Sequence, residues 1–235
     1  MFDKIKIIIS SILYPSTNIK IDLKDENNES KVSAIYRVKN GESTIEKAIL
    51  SVVDLVEEII FVDNGSTDNT INIVNELSNK YNIKIFEYKK DLCFAGKGYK
   101  ERLKENPSGS LADYYTYSFS KGKSDYLMKC DANYIFTKTG LNIIKKELKK
   151  KPDVICYPGV ECFGNKHVLE PFIFKRNSGW KFIDDELWEK VVFPENLKWK
   201  KIFTALFIHV KRYNYIKYTN KKKKGVEALY DSKNS

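Results

Sequence analysis

Glu58-Ile-Ile-Phe-Val-Asp-Asn-Gly-Ser-Thr-Asp-Asn-Thr70 is the stretch that decides the fold. Glu58 to Val62 reads as a short, buried strand. Gly65-Ser66-Thr67-Asp68 is a turn, and Ile71, Val74 and Leu77 recur behind it at helical spacing. Upstream, Val32-Ser-Ala-Ile-Tyr-Arg-Val38 is another strand. Ser43 and Glu46 stand at capping-box spacing and open a helix carrying Ile45, Ala48, Ile49 and Val52 on one face. Downstream, Lys84-Ile-Phe-Glu-Tyr88 is a third strand. This alternation predicts a parallel sheet with helices on its faces.

The pattern continues outward. Residues 89–124 are the least regular, divided by Pro107, with Ser110 and Asp113 placed to cap a short helix bearing Leu111, Tyr114, Tyr115 and Phe119. Asp125 to Cys130 is a fourth strand ending at Asp131; Thr139 to Lys151 is a helix and Val154 to Tyr157 a strand. Beyond these the aromatics thicken, with Trp180, Trp188 and Trp199, and the strand-like run Ile202 to Ile208 leads to His209. At the other end, Ile5, Ile8, Ile9, Ile12 and Leu13 form an apolar stripe beside Lys4 and Lys6, stopped by Pro15. That stripe is too short to span a bilayer and lacks a signal-peptide cleavage site. It either packs on its own domain or touches a membrane surface through residues 1–14. The expected division is an appendage and linker over 1–31, an α/β domain over 32–220 and a basic tail over 221–235.

The 235 residues are 42% hydrophobic and 31% charged, enough for one sizeable globular core. Collagen, low-complexity disorder and a multi-span membrane protein are excluded. Cys93, Cys130, Cys156 and Cys162 show no CxxC pairing and read as reduced, buried thiols, which places the chain in the cytoplasm. The net charge of +10 favours anionic partners. Lys145, Lys146, Lys149, Lys150, Lys151 and Lys221 to Lys224 read as solvated surface. A nucleic-acid role rests on charge alone and ranks last.

In an open parallel sheet, ligands bind outside the carboxyl ends of the strands. Three strand ends carry chemistry: Arg37 to Glu42, Asp63-Asn64-Gly65 and Asp131-Ala132-Asn133. No GxGxxG follows the first strand, and Gly96-Lys97-Gly98 lacks the rest of a P-loop. Val32 to Glu42, Phe61-Val-Asp-Asn-Gly-Ser-Thr-Asp-Asn-Thr70 and Tyr126 to Phe136, in that order, resemble the family 2 glycosyltransferases of the GT-A fold. Ser110-Leu-Ala-Asp-Tyr-Tyr-Thr-Tyr117 is similar to a stretch of polysaccharide- and lipopolysaccharide-type members.

The resemblance implies transfer of a hexose-type sugar from a nucleoside-diphosphate sugar, with inversion, to a glycan, lipid-linked or protein-linked acceptor. It implies Mn²⁺ or Mg²⁺ at Asp131 and Asn133, where the family has two acids one residue apart, and His209 either completes that site or is structural. Asp63, with Asn64, matches the position that reads the donor base; Arg37, Asn40 and Glu42 match the nucleotide wall. Asp68 reads as a helix-start acceptor. The general base is a carboxylate past the Asp131 motif: Asp184, Asp185, Glu186, Glu161 and Glu170 are the candidates, with Asp185 preferred. The rivals are a sugar-1-phosphate nucleotidyltransferase, whose glycine- and arginine-rich loop is missing, and a non-catalytic nucleotide- or glycan-binding module.

Overall fold

The computed structural model describes residues 30–160, the backbone of 161, and residues 169–210. The apolar stripe of residues 1–14, Cys162, His167, Lys211 and the basic tail lie outside them. The central sheet has seven strands in the order β11-β6-β8-β4-β1-β2-β3. They are β1 (Val32–Val38), β2 (Glu58–Asp63), β3 (Ile83–Glu87), β4 (Tyr126–Cys130), β6 (Val154–Tyr157), β8 (Glu170–Lys175) and β11 (Trp199–Lys201). All neighbours are parallel except β8, which runs opposite to both β4 and β6. The expected parallel α/β sheet is therefore present, with one reversed strand inserted. Sequence reading passes over β8 because Phe172, Ile173 and Phe174 are all buried, so nothing alternates. Pro171 sits where the β6–β8 register slips, a place that tolerates a missing N–H.

Alternation along the central strands sorts side chains into two layers. Val32, Ala34, Tyr36 and Val38 of β1, with Ile59 and Phe61 of β2 and Met128 and Cys130 of β4, enter one core cluster. It is covered by α1 (Ile45–Leu50), α2 (Thr70–Ser78) and α5 (Lys138–Leu148). Ile35, Ile60, Val62 and Leu127 point the other way. They meet α4 (Leu111–Ser120) and a hairpin of β9 (Lys181–Asp184) and β10 (Glu189–Val192). Buried hydroxyls tie the layers to the sheet: Tyr36 donates to Ala48 O at 2.9 Å, and Tyr114 donates to Val62 O at 2.9 Å. The second bond fixes α4 against the end of β2.

Ser110 caps α4 as its sequence spacing predicts, accepting from Asp113 N at 3.0 Å. The capping box at Ser43 and Glu46 does not form. Thr44 is the N-cap of α1 without a side-chain bond, because Gly41 O already accepts from Thr44 N and Ile45 N. The run Ile202 to Ile208 is not one strand. Leu206 lies on α5, its N–H bonded to Pro158 O and its carbonyl accepting from Thr137 N. Only β12 (Phe207–His209) pairs, antiparallel with β5 (Tyr134–Phe136) and parallel with β7 (Gly159–Glu161). Gly140 is required there, since a Cβ would stand 2.3 Å from Leu206 O.

Glu58 anchors the amino end of the sheet. It is buried, and it accepts from Ser33 Oγ at 2.7 Å, Lys84 Nζ at 2.6 Å and Lys123 N at 2.7 Å. Burial pushes its carboxyl up, but the bonds from Lys84, Ser33 and Lys123 outweigh that and hold it below the ordinary value of 4.5. A carboxylate depressed on folding stabilises fully above its unfolded pKa and loses that contribution as pH falls through the folded one. Glu58→Gln should cost about 2 kcal/mol at neutral pH. Urea titrations should show the gap from the parent closing as pH falls below 4.5.

Candidate active site

The chain steps outward from β1 to β2 to β3, then returns to place β4 on the other side of β1. That reversal is a topological switch point, and it opens between the carboxyl ends of β1 and β4. Arg37 and Asp131 meet there. Arg37 Nη2 donates to Asp131 Oδ1 at 2.8 Å; the Arg37 side chain is 2% exposed and that of Asp131 35%. The guanidinium lies over the Tyr115 ring of α4, 3.9 Å from its centroid. Its remaining contacts are long, 3.5 Å to Ile35 O and to Cys130 O, and its buried Nε–H has no partner.

One wall of the site is made by the loops after β1 and β2, laced together residue by residue. Asn40 Oδ1 accepts from Thr67 N at 2.7 Å, and Asn40 N donates to Ser66 Oγ at 2.9 Å. Gly41 N reaches Thr70 Oγ1 at 2.8 Å, Glu42 N reaches Asp68 Oδ2 at 3.2 Å, and Glu42 Oε2 accepts from Asn69 N at 3.0 Å. Asp63 turns its carboxylate back on its own loop, accepting from Gly65 N at 2.9 Å and from Ser66 N at 3.0 Å. Gly65 takes φ +70°, which a side chain would resist. Asn64 donates to Tyr88 O at 2.6 Å and Lys90 O at 2.9 Å, pinning the chain that leaves β3. Asn40, Glu42, Asp63 and Asn64 thus lie in one wall, and each shapes it. Asp68 accepts from Thr70 N at the start of α2, as its position predicts.

The other wall comes from β4, β5 and β12. Asn133 O accepts from Val210 N at 2.9 Å, and His209 pairs with Tyr134 across the β5–β12 ladder. The Tyr134 and His209 rings meet edge to face at 4.9 Å. The structure therefore brings His209, distant in sequence, beside Asp131 and Asn133. They do not fit a resident Mn²⁺ or Mg²⁺. Asp131 is the one carboxylate among them, and it already pairs with Arg37. Asn133 brings no charge. Among the described residues no three acidic, histidine or cysteine side chains gather as a metal site.

The β9–β10 hairpin closes the face opposite α1 and α2. Asp184 is its latch: the carboxylate accepts from the Tyr99 hydroxyl of α3 (Tyr99–Glu105), from Ser110 Oγ at 2.6 Å and from Ala112 N at 3.0 Å. Asp184, read from the sequence as a candidate proton acceptor, is held here by three donors. Asp185 lies at the turn, its N–H bonded to Trp188 O, and Glu186 pairs with Lys100 at 2.5 Å. Glu170 pairs with Lys129 at 3.3 Å. The side chain of Glu161 lies outside the described residues.

Glu189, which opens β10, was missed. It is close enough to Lys129 and Arg37 for their charges to act on its carboxyl. Burial raises its pKa, and the cations Lys129 and Arg37 limit the rise. One signal for this cluster was present: Lys129 is a charge inside the otherwise apolar Tyr126-Leu-Met-Lys-Cys130 strand, and a half-buried lysine favours a nearby acid. The acid itself comes from sixty residues on, with no local pattern to mark it.

A mostly parallel sheet flanked by helices, with a switch point between β1 and β4, has the GT-A fold. The chain belongs to glycosyl transferase family 2, whose model matches residues 33–210. It is 27% identical over 139 residues to the uncharacterized glycosyltransferase MG060 of Mycoplasma genitalium, covering 57% of this chain and 42% of that one. It is 43% identical over 54 residues to the uncharacterized glycosyltransferase RT0209 of Rickettsia typhi, covering 23% of this chain and 18% of that one. Among solved structures, it superposes on S. aureus TarS 1–349 in complex with UDP-GlcNAc with a TM-score of 0.56 at 16% identity, covering 77% of this chain and 59% of that one. The chain spans less than half the length of the curated relatives it matches.

Two outcomes check this site. Asp184→Ala strands three donors and should cost about 2–3 kcal/mol in urea unfolding. Asp184→Asn, which keeps an acceptor oxygen, should cost less. Asn133→Asp places a second carboxylate beside Asp131, and should raise Mn²⁺ affinity by about tenfold or more over the parent in calorimetric titration.

Proposed function

We propose that the chain is a glycosyltransferase that moves a sugar from a nucleoside-diphosphate sugar to a hydroxyl of a glycan, lipid-linked or protein-linked acceptor, with inversion. The observation that carries this reading is the Arg37–Asp131 pair at the switch point of a family 2 fold, facing the laced loops after β1 and β2. Those loops, through Asn40, Glu42 and the Asp63-Asn64-Gly65 turn, cradle the nucleotide. Asp131 orients the donor near its ribose and diphosphate. UDP-sugars are the first donors to test, because the TarS neighbour is described with UDP-GlcNAc.

The reaction is a single displacement. The acceptor oxygen forms a bond to the anomeric carbon as the bond from that carbon to the diphosphate oxygen breaks. The departing diphosphate takes the electron pair, and the acceptor proton passes to a carboxylate of the enzyme. We assign that carboxylate to Glu189, in place of Asp185. Glu189 opens β10 on the face that holds Arg37 and Lys129, whereas Asp185 sits at the turn that meets the α3 segment. A carboxylate raised by burial is also a better proton acceptor.

Glu189→Gln should lower kcat by about a hundredfold or more while leaving donor KM within about twofold. Asp185→Asn should stay near the parent. A base must be ionised to work, so activity should fall as pH drops through the raised Glu189 value, an acid limb lying above 4.5. Release of nucleoside diphosphate from UDP-sugars, with and without sugar acceptors, is the measurement. No turnover of any nucleotide sugar, with nucleotides still bound, would establish the non-catalytic binding module instead.

A further inference from the structure

Asp131 stands where the family likeness expects a divalent cation, and the chain already places a positive charge there. Arg37 Nη2 donates to Asp131 Oδ1 at 2.8 Å. The guanidinium is fixed, since its side chain is 2% exposed and lies 3.9 Å from the Tyr115 ring centroid. The next acid on this edge is held in the same way. β8 runs opposite to β4, so its first residue, Glu170, lies at the carboxyl end of β4. Glu170 pairs with Lys129 of β4 at 3.3 Å, and the Lys129 ammonium stands 5.8 Å from the ring centroids of Tyr115 and Phe172. Both acids at this end of β4 are therefore matched by cations of the chain itself.

A divalent cation such as Mn²⁺ or Mg²⁺ takes oxygen ligands, and the negative charge of those ligands sets how tightly it is held. Asn133 adds no charge. To serve a metal, Asp131 would have to leave Arg37, and breaking a buried pair strands the charge that stays behind. We propose that the site binds its nucleotide without a divalent metal, and that Arg37 is the positioning residue responsible. Its charge neutralises Asp131, so that the acid does not repel the diphosphate. Its fork holds the carboxylate, 35% exposed, where a ligand can donate to it. The nucleotide as ligand rests on the function proposed above; the exclusion of metal from Asp131 by Arg37 does not.

Two substitutions at position 37 separate charge from packing. Arg37→Gln removes the cation and keeps a polar side chain beside Asp131. The carboxylate is then uncompensated, so it should attract a metal ion and repel a diphosphate. Arg37→Lys keeps the charge and gives up the flat stack on Tyr115 and the planar fork. It should still keep metal away from Asp131. A role confined to packing predicts neither the gain of metal affinity in the first variant nor its absence in the second.

The first measurement uses Mn²⁺ alone on the full chain, with free Mn²⁺ read by electron paramagnetic resonance. The parent should bind no more tightly than Asp131→Asn. Arg37→Gln should bind about tenfold or more tightly than the parent, and adding Asp131→Asn to it should abolish the gain. Arg37→Lys should match the parent. The second measurement is calorimetric binding of UDP in EDTA and in Mn²⁺. The parent should show the same affinity in both within about twofold, whereas Arg37→Gln should weaken about tenfold in EDTA and recover in Mn²⁺. A parent that binds Mn²⁺ about tenfold more tightly than Asp131→Asn overturns the proposal, and that comparison stands even if Arg37→Gln does not fold. So does UDP binding that the parent loses in EDTA, or a folded Arg37→Gln with the parent's Mn²⁺ affinity. If the parent binds UDP in neither buffer, the function assigned to the site fails, and the Mn²⁺ titration still decides whether Arg37 keeps metal from Asp131.

Discussion

A guanidinium buried to 2% exposure is the constraint around which this molecule is arranged. Taking such a charge out of water is costly, and the cost is offset only where partners are fixed in advance. Arg37 obtains them from three elements: Asp131 after β4, Tyr115 on α4 and Glu189 on β10. Burial opposes its charge, while Tyr115, Asp131 and Glu189 favour it, and the balance leaves it firmly protonated. The sheet order, the cap on α4 and the hairpin latch all serve to bring these partners to one place. Asp184 illustrates the dependence, since it joins the hairpin to the start of α4, the helix that carries Tyr115.

The two walls follow different physical rules. The donor wall is local: residues 40–42 and 63–70 follow neighbouring parallel strands, and their polar groups satisfy one another across the gap. Such a wall is rigid before any ligand arrives, and rigidity limits the ordering cost of binding. The opposite wall is assembled from long range. β12 brings His209 beside Tyr134, and β10 brings Glu189 over Lys129. A laced loop can survive changes elsewhere, whereas the far wall depends on the hairpin and on Leu206 seating against Gly140.

This difference explains what was legible in the amino-acid order. The strands around Asp63 and Asp131 carry their own signals: buried apolar runs, turn residues, and a helix pattern behind them. β8 carried none, because a strand buried on both faces has no period. Its antiparallel course also depends on β4 and β6, which flank it. The capping box at Ser43 and Glu46 was legible but unused, because Gly41 O closes that turn with backbone bonds. Asp184 and Asp185 both stood as candidates in a run of acids, with Asp185 preferred. Three donors from distant parts of the chain make one a latch, and no spacing within residues 180–188 encodes them.

The resemblance to a two-acid motif was legible too, and the structure alters its meaning. In Asp131-Ala132-Asn133 the second acid is missing, and the first is compensated by a cation of the protein itself. The charge relations at the strand ends are therefore set by the fold before any ligand binds. A change at Arg37 removes the 2.8 Å partner of Asp131. Asp131 and Glu189 sit on elements separated by more than fifty residues, and Arg37 gives them a common charged neighbour.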